Sequence, residues 1–169
     1  MGSNTSRAAD TQAALDAIRR IVQALRESSR WSERHVGLSG AQLFVLRTLA
    51  DAPGISINDL ATRTHTHQSS VSTVVTRLVE GGLVRRLRSG EDARSVTLSL
   101  SARGQRAATR ASDVPQHRLI RAIEGLTVTR RRQLATALVE VATRMQATSH
   151  PPAMFFEDRS RARRGTRVA

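Results

Sequence analysis

The sequence predicts a mainly α-helical fold carrying one small β-hairpin. Apolar residues recur at helical spacing through most of the chain, and the period falls to two only between Leu83 and Leu100. Aromatic residues make up 2% of the 169 residues (Trp31, Phe44, Phe155 and Phe156). The core must therefore be built from Leu, Val, Ile and Ala, a set suited to helices packing on helices.

The first helix is expected from Thr11 to about Arg30. Leu15, Ile18, Val22 and Leu25 share one face, and Arg19, Arg20, Arg26 and Glu27 lie on the other. Ser39 followed three residues later by Gln42 reads as a capping box, each side chain satisfying an end-of-helix donor. Leu43, Leu46, Leu49 and Ala50 form the stripe of this second helix, and Asp51-Ala52-Pro53-Gly54 stops it. Ser56 caps a short third helix with Leu60 and Ala61 on its inner face, and Thr64 to Thr66 form a turn. The fourth helix runs from Gln68 to Glu80. Val71, Val74, Val75 and Leu78 make its apolar stripe, and Gly81-Gly82 ends it.

Leu83–Arg88 and Ser95–Leu100 then read as two strands, the second alternating polar and apolar, with a polar turn at Ser89–Arg94. Ser101 caps a further long helix expected to reach Ile123 with a bend at Pro115. Thr127 caps the last helix, whose stripe is Leu134, Leu138, Val141 and Met145. His150-Pro151-Pro152 breaks the pattern. Residues 148–169, with the arginine-rich stretch Arg159–Arg167, are expected to be a basic, disordered tail.

The formal charge is +13, from 27 basic residues, all arginine, against 14 acidic ones. Polyanions are the partner class such a charge favours. The absence of cysteine excludes disulfides and thiolate metal sites. No apolar run approaches the roughly 20 residues of a membrane span, and the polar stretch Met1–Asp10 lacks a signal-peptide core. A cytoplasmic protein is expected.

Three helices followed by a hairpin make a winged helix. The Gln68–Glu80 segment would be its recognition helix, presenting Gln68, Ser69, Ser70, Ser72, Thr73, Thr76 and Arg77 to DNA. Short polar side chains approach base edges in the major groove without holding the helix away, and glutamine pairs with adenine. Arg77 is placed for phosphate, and Arg85, Arg86 and Arg88 on the following strand add to the phosphate-binding field. At the hairpin tip, Arg94 suits a narrow minor groove, with Asp92 holding the arginine or the hairpin in place. A polar helix face is by itself often merely solvated; the order of elements and the charge together carry the reading.

The stretch from Leu60 to Arg86, LATRTHTHQSSVSTVVTRLVEGGLVRR, resembles the recognition segment of the MarR family of bacterial regulators. Asp92-Ala93-Arg94 followed by Leu98-Ser99-Leu100-Ser101 resembles that family's wing, and the likeness extends over roughly residues 10–147. The resemblance implies a homodimer joined by the first helix and the last two, acting on a pseudo-palindromic operator, usually as a repressor. It implies a helical dimerisation region at residues 10–37 and 102–147 and a winged-helix DNA-binding domain at 38–101. By position it makes Arg94 the minor-groove arginine and Asp92 its partner. Many members release DNA when a small aromatic or phenolic anion binds between arm and winged helix. Three features depart from the family: Thr64 and Thr66 replace apolar residues in the turn, Thr73 stands where a larger residue is common, and Arg130-Arg131-Arg132 opens the last helix against its dipole.

Trp31, with His35 nearby, is the candidate ligand-binding pair, since an indole beside cations suits an aromatic carboxylate. The competing expectation is that Trp31 packs the arm against the DNA-binding lobe. No histidine pair has the helical spacing of a zinc site, so no metal or cofactor is expected; His65 and His67 suit phosphate contact and His117 packing. Nucleophile elbows, phosphate-binding glycine loops and dinucleotide fingerprints are lacking, which argues against an enzyme. The alternative of another class is an architectural nucleic-acid-binding protein without effector or strong sequence preference.

Overall fold

The computed structural model describes residues 2–88, 96–110, 114–147 and 153–157. Its elements are α1 (Gly2–His35), α2 (Gly40–Asp51), α3 (Ile57–Arg63), α4 (Gln68–Glu80), β1 (Val84–Arg88), β2 (Val96–Leu100), α5 (Ala102–Arg110), α6 (Pro115–Glu124) and α7 (Val128–Arg144).

Helix α2 is the centre of the core. Ala41, Val45 and Leu46 are fully enclosed, and Leu43, Phe44 and Leu49 nearly so. Each fully buried large apolar side chain of this kind stabilises the fold by about 1.5–3 kcal/mol. The helix starts where the capping box predicts: the Gln42 amide donates to Ser39 Oγ at 3.3 Å, and Gln42 Oε1 accepts from the Ser39 amide at 3.0 Å. A second box starts α3, with Asp59 accepting from the Ser56 amide and hydroxyl at 3.2 and 2.7 Å. These bonds, and then the nearby Arg63, favour the Asp59 carboxylate and hold it below its ordinary range of ionisation.

The two strands pair antiparallel, Val84 opposite Leu100 and Arg88 opposite Val96. Residues 54–56 add a short third edge: the Gly54 amide donates to the Leu98 carbonyl at 3.1 Å and the Leu98 amide to the Ile55 carbonyl at 2.9 Å. Ser101 closes the wing onto the next helix, donating to the Gly82 carbonyl at 2.8 Å and accepting from the Gly104 amide at 3.0 Å.

Four expectations need correction. Helix α1 begins earlier and ends later than Thr11–Arg30. The single bent helix expected from Ser101 to Ile123 is two helices. Pro115 opens α6 instead of bending a longer helix, and Val114 before it is extended (φ −96°, ψ 113°), because proline excludes the helical conformation from its predecessor. Trp31 does not pack α1 against the lobe in the single chain: it is 43% exposed. Residues 153–157, expected to be disordered with the rest of the tail, are seated on the body, and Met154 belongs to the hydrophobic core at 5% exposure.

Helices α1 and α7 keep a large apolar surface in the single chain. Leu25, Ser29 and Ser32 of α1 are buried, whereas Leu15, Ile18 and Ile21 are exposed. Helix α7 buries none of its residues; Val128, Leu138, Val139 and Val141 face outward.

Candidate nucleic-acid interface

Helix α4 divides into two faces. Val71, Val74, Val75 and Leu78 are at most 1% exposed and fasten it to the core. Opposite them Gln68, Ser69, Thr73 and Thr76 are exposed, and Ser70, Ser72 and Arg77 are half-buried at the margins. Its apolar stripe fixes which face turns outward, because rotation would expose four β-branched or leucine side chains. The Thr73 hydroxyl donates back to the Ser69 carbonyl at 3.1 Å, leaving its lone pairs outward.

The helix is held at both ends. At its start the turn from α3 is a Schellman motif: the His65 amide donates to the Thr62 carbonyl and the Thr66 amide to the Ala61 carbonyl, with His65 left-handed at φ +49°. Thr64, placed where an apolar residue was expected, is 3% exposed and donates to the Leu60 carbonyl at 2.8 Å, so its hydroxyl is satisfied within the turn. His65 Nε2 lies 3.0 Å from Glu124 Oε1 at the last turn of α6. At the C-terminus of α4, Gly82 (φ +66°) completes a second Schellman motif, and Arg103 of α5 donates to the Gly81 carbonyl at 3.3 Å.

A side-chain bond joins helix and wing. Arg86 Nη2 donates to Thr76 Oγ1 at 3.1 Å, bringing together two of the sequence-predicted contacts. Arg85 is exposed on the same strand. Arg88 ends β1, its backbone opposite Val96. Asp92 and Arg94 lie outside the described residues. The ion pairs among the described residues are Asp16–Arg19, Arg47–Asp51 and Glu140–Arg144, beside the His65–Glu124 hydrogen bond; none of these involves Arg77, Arg85 or Arg86.

Besides the Arg86–Thr76 bond, two contacts had not been expected. One is the His65–Glu124 pair, which no local spacing announces. The other is Arg131, which donates to the carbonyls of Glu124 and Leu126 at 2.8 and 3.4 Å. That gives the arginine run at the start of α7 a physical role: it caps the end of α6, where positive charge is favourable. His117 packs as expected, its ring 4.6 Å from that of Phe44 and Nε2 3.2 Å from Thr48 Oγ1.

Trp31 and His35 stack at 4.9 Å on the exposed side of α1. They do not line the cleft between α1, α2 and α6, which is bounded by Leu25, Ser28, Ser29, Gly40, Leu43, Val114, Pro115 and Gln116. Among the described residues no group of three metal-ligating side chains converges, and no helix is long and apolar enough to cross a membrane.

A helix-turn-helix closed by a β-hairpin, with a polar outer helix face beside the exposed Arg85 and Arg86, defines a winged-helix DNA-binding protein. Comparison with known proteins gives the family. The MarR family model matches residues 36–95, from the loop before α2 into the wing. The homoprotocatechuate degradative operon repressor of Escherichia coli is 32% identical over 108 residues, covering 64% of this chain and 72% of the repressor. An HTH-type transcriptional repressor of Mycobacterium tuberculosis is 28% identical over 124 residues, covering 73% and 89%. Among solved structures, Streptococcus pneumoniae FabT in complex with DNA superposes with a TM-score of 0.53 at 16% identity, covering 82% of this chain and 96% of FabT. Wild-type apo MarR from Escherichia coli gives 0.52 at 23% identity, covering 75% and 94%. The chain belongs to the MarR family. It is a DNA-binding transcriptional regulator rather than an enzyme.

Proposed function

We propose that the protein is a transcriptional repressor that binds a pseudo-palindromic operator as a homodimer. The observation that carries this is the two-faced α4: a polar, exposed outer surface on a helix locked by four buried side chains and tied to the wing by Arg86. In this reading Gln68, Ser69, Ser70, Ser72, Thr73 and Thr76 read base edges or adjacent phosphates in the major groove. Arg77, Arg86 and Arg88 supply phosphate contacts. Asp92 and Arg94 are assigned to the wing tip and the minor groove. The exposed apolar faces of α1 and α7 are assigned to the partner copy, and repression is inferred from the two relatives, both of which are repressors. The stacked Trp31–His35 pair is the proposed platform for a small aromatic or phenolic anion that releases DNA.

Selection of bound duplexes from a random pool at physiological salt tests the reading. An inverted repeat with half-sites about one helical turn, roughly 34 Å, apart is the expected outcome. Equal affinity and equal salt slope on selected and random duplexes would instead identify an architectural binder.

A further inference from the structure

We propose that residues 153–157 form an intramolecular latch that acts through α6 on the turn leading into α4. The inference deepens the DNA-reading function and rests on it.

The segment is built into the junction of arm and lobe. Met154 is 5% exposed and belongs to the core. The Phe155 carbonyl accepts from Gln116 Nε2 at 3.1 Å, at the start of α6. Phe156 reaches α2: a Cβ added to Gly40 would lie 3.6 Å from the Phe156 Cβ. The segment closes on itself through the Glu157 amide, which donates to the Met154 carbonyl at 3.1 Å. The adjoining cleft retains about 10 Å³, roughly the room of one water. Gln116 is 6% exposed, and its Oε1 is buried with no hydrogen-bond partner among the described residues. Gln116 therefore gains a bond from the latch.

The other end of α6 carries Glu124, which holds His65. Helix α6 has 10 residues, about 15 Å of rigid rod. It is gripped at its first turn by the 153–157 segment and grips, at its last, the left-handed residue of the turn before α4. A shift at Gln116 is thus delivered to His65 by one helix, with His117 on Phe44 as the contact between them. Seating the latch fixes the entry of α4, and releasing it lets that turn move, so that DNA binding must order it again.

The chain has no cysteine, so the test is clean. Gly40→Cys with Phe156→Cys places two Cβ atoms about 3.6 Å apart, within the range of a disulfide; Ser29, 3.1–3.2 Å from the added Cβ, must yield by a few tenths of an ångström. Oxidation is expected to cross-link the full chain and preserve wild-type affinity for the selected operator. Met154→Ser with Phe156→Ala keeps every arginine and releases the latch. It is expected to weaken operator binding at least fivefold with an unchanged salt slope, and to speed amide exchange both at residues 116–120 and at His65 and Thr66. Glu124→Ala cuts the far end and should reproduce the affinity loss and the faster exchange at His65, without faster exchange at residues 116–120. The proposal is overturned if the cross-link does not form, if the released variant binds as well as or better than wild type, or if exchange rises at 116–120 alone. If wild type itself selects no operator, the DNA-reading function fails, and the latch is decided by whether exchange at 116–120 and at His65 rises together.

Discussion

Two Schellman turns flank α4, and they differ at the left-handed position. After α4 the left-handed position holds Gly82, which adopts φ +66° without steric cost; after α3 it holds His65 at φ +49°. A side chain in that conformation costs roughly 1–2 kcal/mol, and an exposed polar pair such as His65–Glu124 returns at most about 1 kcal/mol. His65→Gly is therefore expected to leave thermal stability unchanged or raise it, by on the order of 0.5 kcal/mol, while weakening operator binding. A parallel fall in melting temperature and affinity would mean that the histidine serves stability alone. On the reading face, Gln68→Ala should relax preference at one base pair, by about 1–3 kcal/mol of discrimination. Arg86→Ala should weaken all sequences alike and reduce the salt slope by about 1. Asp59 adds a pH signature. Its carboxyl is held below the ordinary range, first by the Ser56 hydroxyl and amide, so its contribution is complete above the unfolded ionisation range and fades as pH falls through the folded one. The stability gap between wild type and Asp59→Asn, followed by denaturant melts, should close on acidification.

At the level of elements, packing between the wing and α5 depends on a residue that has no side chain. A Cβ at Gly104 would collide with the backbone carbonyl oxygen of Leu83, the residue that enters β1. Backbone cannot rotate away, so Gly104→Ala should destabilise the fold by about 1–3 kcal/mol, read as a lower denaturation midpoint. The capping box of α2, the stripe of α4, the hairpin and the Thr127 cap were all legible in the sequence, because each is written in neighbouring residues. The exposed polar face of α4, the surface proposed to read DNA, was legible for the same reason: it is the complement of Val71, Val74, Val75 and Leu78. The Arg86–Thr76 bond, the His65–Glu124 pair and the Arg131 cap were not, since their partners meet only through tertiary structure. The division of α5 from α6 was missed because proline both bends helices and opens them, and the sequence offers no local feature to choose between the two. Met154 was missed because one buried methionine in a proline- and arginine-rich stretch leaves no periodicity.

The whole molecule poses an electrostatic problem. Two copies each carrying +13 repel one another, so a dimer must be joined by apolar contact. The available surface is Leu15, Ile18 and Ile21 on α1 with Leu138, Val139, Val141 and Met145 at the far end of the chain. Helix α1 has 34 residues, about 51 Å at 1.5 Å per residue, and among its described residues the buried ones, Leu25, Ser29 and Ser32, lie in its C-terminal part. DNA binding and dimerisation should therefore respond to salt in opposite directions. Added salt screens the repulsion between copies and strengthens the dimer, whereas it weakens binding to DNA by removing the gain from counterion release. Ile18→Arg with Leu138→Arg should give monomers by sedimentation, with helical content retained because neither side chain belongs to the single-chain core. Such a monomer keeps one reading lobe. Its operator affinity should fall to that for random duplex, with a salt slope about half that of the dimer, because half the phosphate contacts remain. A variant that stays dimeric would place the interface elsewhere than on these two helices, and a monomer that still distinguishes the inverted repeat would show that one lobe suffices for operator reading.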